Sequence, residues 1–204
     1  MSERGRPRKF DRHQALESAM EVFWARGYVG ASLADLTAAM GINPPSLYAA
    51  FGSKEALFRE AVALFIAEED TCTPALLAGD LTARESITTM LNSAAISCVQ
   101  PQKPTGCLLV LGATNGGPET AGVQAQLSDC RRQMADRIRA RLERGVTDGE
   151  LPGGLDLASI AAYYIAVFNG LSISARDGAD LATLQAVVRN AMAGWDAMTS
   201  TQGA

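Results

Sequence analysis

Groups able to hold an anion crowd one end of this 204-residue chain. Arg4, Arg6, Arg8, Lys9 and Arg12 face only Glu3 and Asp11 there, whereas residues 61–204 carry 10 basic and 15 acidic side chains. A basic arm on an acidic body suits an anionic partner gripped at one end. The formal net charge of -4 excludes a protein that coats its whole surface with nucleic acid. Farther along, the hydroxyls of Ser32, Tyr48 and Ser53 and the ammonium of Lys54 can donate to phosphate oxygens. Ser32 and Ser53 read equally well as helix caps, and Tyr48 as a packing residue.

Other chemistry is sparse. The four cysteines, at 72, 98, 107 and 130, include no C-x-x-C pair, and His13, the single histidine, is far from them in sequence. No zinc spacing and no disulfide framework follow, so no metal and no cofactor are expected. Serine-hydrolase, P-loop, dinucleotide and zinc-protease motifs are absent, and no catalytic residue is nominated. The glycine loop at 112–117 has neither a strand before it nor a Lys-Ser/Thr ending, so it reads as a helix break. Cys107 follows Lys103 and Gly106 near a helix start, where the dipole favours a thiolate. It reads either as a sensor of electrophiles or oxidants or as a small core residue like the neighbouring Leu108 and Leu111.

The elements that must position these groups are helical. Apolar residues make up 48% of the chain and aromatic ones 6%, with Ala and Leu in every long window. Leu16, Ala19, Met20, Phe23 and Trp24 form one stripe on a first helix from Asp11 to Arg26, ended by Gly27. Ser32 and Asp35 make a capping box for a second, carrying Leu33, Leu36, Ala39 and Met40 and stopped by Gly41. Asn43 caps a third, with Pro44 and Pro45 in its first turn and Phe51 at its end. A long fourth helix is expected over 54–77, then helices over 82–99 and 118–147, and last ones capped by Asp156 (157–176) and Asp180 (181–199). The fold class is therefore all-α with about nine helices, divided into a reading unit at 1–53 and a helical body at 54–204. No apolar leader and no uninterrupted apolar run near the ~18 residues of a membrane span is present, which places the chain in the cytoplasm.

Two short helices joined at a glycine form a helix-turn-helix, which lays its second helix in the major groove of duplex DNA. Leu47 and Phe51 share the inward face of that helix, leaving Pro44, Pro45, Tyr48 and Ala49 outward. The helix holds no Arg, Lys, Gln or Glu, so the common bidentate contact of arginine to guanine cannot come from it, and thymine methyls become the natural targets of Pro44, Pro45 and Ala49. The candidate DNA contacts are Arg6, Arg8, Lys9, Ser32, Asn43, Pro44, Pro45, Ser46, Tyr48, Ala49 and Lys54. One such helix touches few base pairs, so two copies about one turn apart, ~34–36 Å, on a palindrome are expected.

Three segments, F-x-x-x-G-Y at 23–28, S-L-A-D-L-T-A-A-M-G-I at 32–42 and P-P-S-L-Y-A-A-F-G-S-K-E-A-L-F at 44–58, resemble the TetR family of bacterial transcription regulators. The resemblance implies a homodimeric repressor released from its operator by a small-molecule effector. Its last two helices would form a four-helix dimer interface. Tyr48 and Lys54 stand where that family places phosphate contacts and Ser32 where it places a cap, whereas Ala49-Ala50 departs from the family's aromatic or histidine pair. T-G-C-L at 105–108 and G-L-x-x-x-A-R-D-G-A at 170–179 look like segments of one branch. An effector that is apolar, aromatic or electrophilic is expected among Phe65, Met90, Cys107, Leu111, Met134 and Tyr163. Ile160, Tyr164, Val167, Leu184, Val188 and Met192 are the candidate interface. The alternatives are a helical protein-protein adaptor and an uncharacterised enzyme acting on small molecules.

Overall fold

The computed structural model describes residues 11–68, 75, 77–114 and 116–200. The helices are α1 (Arg12–Gly30), α2 (Leu33–Met40), α3 (Pro44–Phe51), α4 (Lys54–Glu68), α5 (Ala83–Ser97), α6 (Leu108–Leu111), α7 (Ala121–Thr147), α8 (Leu157–Arg176) and α9 (Leu181–Ala193). A 3-10 turn, Pro118–Thr120, leads into α7, and a short helical stretch, Trp195–Thr199, follows α9. No strand occurs among the described residues. The all-helical class stands.

Local chemistry sets most boundaries. The Asp11 carboxylate accepts the amides of His13 and Gln14 at the start of α1. Ser32 with Asp35 and Thr82 with Glu85 form reciprocal capping boxes on α2 and α5. Asn43 accepts the Ser46 amide at 2.9 Å, while the two prolines fill a first turn whose donors would go unused. Asp156 and Asp180 cap α8 and α9 through Ser159 and Thr183.

The helix expected over 54–77 is described as α4 only to Glu68, residues 69–74 and 76 lying outside the described residues, and two other boundaries carry more than the spacing shows. Gly27 breaks the first helix, as the spacing predicts, with φ 69° and ψ 171°, and less than one further helical turn carries α1 on to Gly30. The kink turns the Tyr28 amide outward to donate to the Gly112 carbonyl at 2.6 Å. A Cβ at Gly27 would lie 3.2 Å from that same oxygen, so both the positive φ and the close approach require glycine. The last helix breaks at Gly194, which separates α9 from Trp195–Thr199.

Packing produces two cores. Phe23, Trp24, Leu36, Leu47, Phe51, Leu57, Phe58 and Phe65 pack with Leu108, Val123 and Leu127 from the body. The Phe23 and Phe58 rings meet edge to face at 5.0 Å, Trp24 and Phe65 at 4.9 Å. Each such side chain, fully buried, contributes about 1.5–3 kcal/mol. This core takes in α4 and so runs past residue 53 into the helix expected to open the body. The second core holds Ile87, Met90, Leu91, Ile138, Leu142, Tyr164, Leu184, Val188 and Trp195.

By length and composition α8 is apolar enough to cross a membrane, with mean hydropathy 1.5 and 28% of that window buried. Ile160, Ala161, Tyr164, Leu171 and Ala175 point into the second core, while Tyr163 and Ile173 on the other side stay 41% and 49% exposed. One helix thus carries two apolar faces, and among the described residues only one of them is covered.

Candidate nucleic-acid interface and cavity

The reading unit presents the face expected of it. Leu47 and Phe51 are buried, and Asn43, Pro44, Pro45, Tyr48 and Ala49 are exposed, with Ser46 half-buried beside them. The Lys54 ammonium stands 4.6 Å from the Tyr28 ring centre, and burial pulls its pKa below the ordinary lysine value. Tyr48 is 47% exposed, so its phenol is available to a phosphate next to Lys54's end of α3.

Ser32 is committed elsewhere. Its hydroxyl donates to Asp35 at 2.6 Å and accepts the Asp35 amide at 3.0 Å, so it serves α2 as a cap and has no proton left for a phosphate. Hydrogen bonds from the Ser32 hydroxyl and amide, ahead of the Arg26 charge, hold the Asp35 carboxyl below the usual carboxylate range. The arginines described on α1 and α4 are also engaged: Arg12 pairs with Glu60, Arg26 with Asp35 and Arg59 with Glu55. Arg12 lies over the Phe51 ring and ties α1 to α3 and α4. Lys54 has no carboxylate partner among the described residues. Arg6, Arg8 and Lys9 lie outside the described residues, as does Cys72.

Between α6, α7 and α8 lies a cavity of about 60 Å³. Its apolar wall comes from Ile66, Cys107, Leu109, Val110, Cys130, Met134, Ile165 and Phe168; Arg131, Gln133, Arg137 and Asn169 supply polar atoms. The volume suits a compound of only a few heavy atoms, mostly apolar, with a polar or reactive handle. Of the expected lining, Cys107 and Met134 are in place. Phe65 is buried in the first core and Met90 in the second. Leu111 lines no part of the cavity and packs toward Gly106, and Tyr163 sits in an open groove with Ile160 and Met198. Helical spacing marks an apolar face without saying which neighbour that face meets. Cys130 was legible as the residue four before Met134 on the same stripe.

The last helices require a similar correction. Tyr164, Leu184 and Val188 are buried in the protomer's own core, and Ile160 and Met192 nearly so, which leaves only Val167 of the expected interface half-exposed. The outward face of α8 carries Tyr163, Ala166, Gly170 and Ile173, with Val187 exposed on α9. Those positions recur at three- and four-residue steps, the spacing of a helix seam.

Known proteins share this layout. The model of the family described as bacterial regulatory proteins, tetR family, matches residues 15–61. That of the tetracyclin repressor-like C-terminal domain matches residues 85–192. The HTH-type transcriptional repressor ComR of Escherichia coli (strain K12) is 32% identical over 193 residues, covering 94% of this chain and 92% of ComR. BdcR, an HTH-type transcriptional repressor of the same organism, is 34% identical over 122 residues, 60% of this chain and 62% of its own. Among solved structures, a cysteine-substituted variant of the TetR family regulator CifR, complexed with 26-bp double-strand operator DNA, superimposes with a TM-score of 0.90. It is 45% identical, over 93% of this chain and all of that one.

Proposed function

Since the chain belongs to the tetR family of bacterial regulatory proteins and is therefore a DNA-binding transcriptional regulator, we propose that it works as a homodimeric repressor. It grips a palindromic operator and releases it when a small molecule enters the cavity beside Cys107. The observation that carries this reading is the face of α3. Pro44, Pro45, Tyr48 and Ala49 project to solvent over a buried Leu47 and Phe51, with Lys54 alongside. Tyr48 and Lys54 hold phosphates and fix the register, Pro44, Pro45 and Ala49 read thymine methyls, and Asn43 and Ser46 make the few polar contacts left to the helix start. Arg6, Arg8 and Lys9 of the arm add groove or backbone contacts. Dimerisation uses the uncovered apolar face of α8, because an isolated chain has no use for Tyr163 and Ile173 in water.

The effector is small and mostly apolar, and it is either held by the cavity or reacts with the Cys107 thiol on its wall. Release requires that it bind one separation of the reading units better than the other, with a coupling of about 1–3 kcal/mol. Selection of bound duplexes from a random pool, followed by band-shift titration, tests the reading. A palindrome with half-sites one turn apart is the expected product, and recovery of no sequence at all would overturn it. Compounds that then release the duplex are screened against wild type and Cys107→Ser, which separates a covalent effector from a held one.

A further inference from the structure

The far end of α1 is completed by a residue from the other end of the chain. In an unbroken helix the Trp24 carbonyl would accept the Tyr28 amide, but the Gly27 kink sends that amide to Gly112. Arg176, the last residue of α8, fills the place: Nη2 donates to the Trp24 carbonyl at 2.9 Å and Nη1 to the Ala25 carbonyl at 3.1 Å. Its Nε donates to the Thr105 carbonyl at 3.0 Å. One planar guanidinium thus spans two elements through three carbonyls, and it stands at the negative end of α1's helical dipole.

The segment it reaches is fixed from the other sides too. Trp24 Nε1 donates to the Gly106 carbonyl at 3.0 Å in a buried bond, and the Cys107 amide donates to Ser172 Oγ at 2.7 Å. Gly106 has φ 80°, and a Cβ there would lie 2.5 Å from Leu111 Cδ1 and 2.9 Å from the Ser172 carbonyl. Residues 105–112 are therefore clamped between α1 and α8, and Cys107, Leu109 and Val110 of that same segment form wall of the cavity.

We infer that Arg176 is a positioning residue for operator reading: it sets the angle at which α1, and with it α2 and α3, leaves the body, and so the separation of the two reading units in the dimer. The inference rests on the dimeric operator-binding reading above. Adjacent base pairs are ~3.4 Å apart along the duplex, so a few ångströms of slack at the reading unit spans a whole step of half-site spacing. A clamped α1 discriminates between spacings; a loosened one tolerates several.

The experiment uses the full chain and the selected operator, remade with its half-sites one and two base pairs closer or farther apart. Dissociation constants are measured for wild type, Arg176→Met, Arg176→Lys and Trp24→Phe, each with a thermal melt. Wild type is expected to bind the wrong spacings at least ~10-fold more weakly than the right one, within the usual range of coupling. Arg176→Met should shrink that penalty to about threefold or less, and Arg176→Lys, which keeps the charge but loses the fork, should fall between. Trp24→Phe removes the bond to Gly106 and trims a buried ring, so it should relax spacing in the same direction at some cost in melting temperature, which the melt records. A spacing penalty in Arg176→Met equal to that of wild type would overturn the inference. So would a uniform loss at every spacing in both Arg176→Met and Trp24→Phe, the mark of a fold merely weakened. A wild type that binds its operator but shows no spacing preference removes the positioning role and leaves operator binding intact. Failure of wild type to bind any duplex overturns the operator reading and the clamp with it.

Discussion

In the interface proposed above, Lys54 and Tyr48 would hold phosphates in different ways, set by their surroundings. Lys54 is half-buried over Tyr28, which lowers its pKa by desolvation; Tyr48 offers its phenol in the open. Lys54→Met should weaken binding to all sequences and lower the slope of log affinity against log salt by about 1, as one fewer phosphate is neutralised. Tyr48→Phe should cost about 1 kcal/mol, roughly fivefold in affinity, and leave the slope unchanged. Titrations at several salt concentrations decide between these outcomes. The thiols differ in the same way. Burial pushes the Cys98 thiol from 9.0 up to about 11, so at pH 8 it stays protonated and iodoacetamide should label Cys107 on the cavity wall well before it. The folded value lies above the unfolded one, so the associated stability is whole below pH 9 and is lost as pH rises toward 11. Tyr164, raised by burial as well, adds to that alkaline loss above pH 10. Cys98→Ala should flatten the early part of the decline in a chemical-denaturation series across this range.

Caps were the most legible elements because they are local: a serine or threonine and a carboxylate three residues later can satisfy each other without knowledge of the fold. Ser32→Ala should cost about 1 kcal/mol in a denaturant titration. Asp35 is depressed in the fold mainly by the Ser32 hydroxyl, so its contribution is present above its ordinary value of 3.8 and lost as pH falls through the lower folded value. Without Ser32 the protein should be less stable at neutral pH but should lose less on acidification. Glycines were harder. Gly27 and Gly41 look alike in sequence and each breaks its helix, yet Gly41 closes α2 with its own amide, while after Gly27 the Tyr28 amide turns to the carbonyl of Gly112, 85 positions beyond Gly27. Gly27→Ala meets both a positive φ and a carbonyl 3.2 Å away, and should cost more than 1 kcal/mol, visible as a lower melting temperature. Arg176 was quoted in sequence only as part of a recurring segment. Its three carbonyl partners, two of them more than 150 positions away, could be found only in the folded chain.

Assembly is where one sequence pattern had two meanings. A helix with an apolar stripe on each side, as α8 has, tells a reader that it packs twice and not which stripe packs first. Protomer folding takes Ile160, Tyr164 and Leu171, together with Leu184 and Val188 of α9, and leaves Tyr163, Ala166, Gly170 and Ile173 as the face proposed above for a second copy. The two stripes should respond differently to substitution. Leu184→Ala removes a fully buried side chain and should cost about 2–5 kcal/mol of protomer stability. Tyr163→Glu combined with Ile173→Glu alters exposed positions, so the protomer should keep its helix content and most of its melting temperature. A stable interface buries at least about 1,000 Å², and two carboxylates set into its apolar centre meet their own symmetry mates, which costs desolvation and like-charge repulsion together. Light scattering after size exclusion should then show a monomer. Operator affinity should fall by at least ~100-fold, because each reading unit loses the effective concentration supplied by its twin. A double variant that still elutes as a dimer and holds the operator as wild type does would place the interface elsewhere, and the uncovered face of α8 would need another occupant.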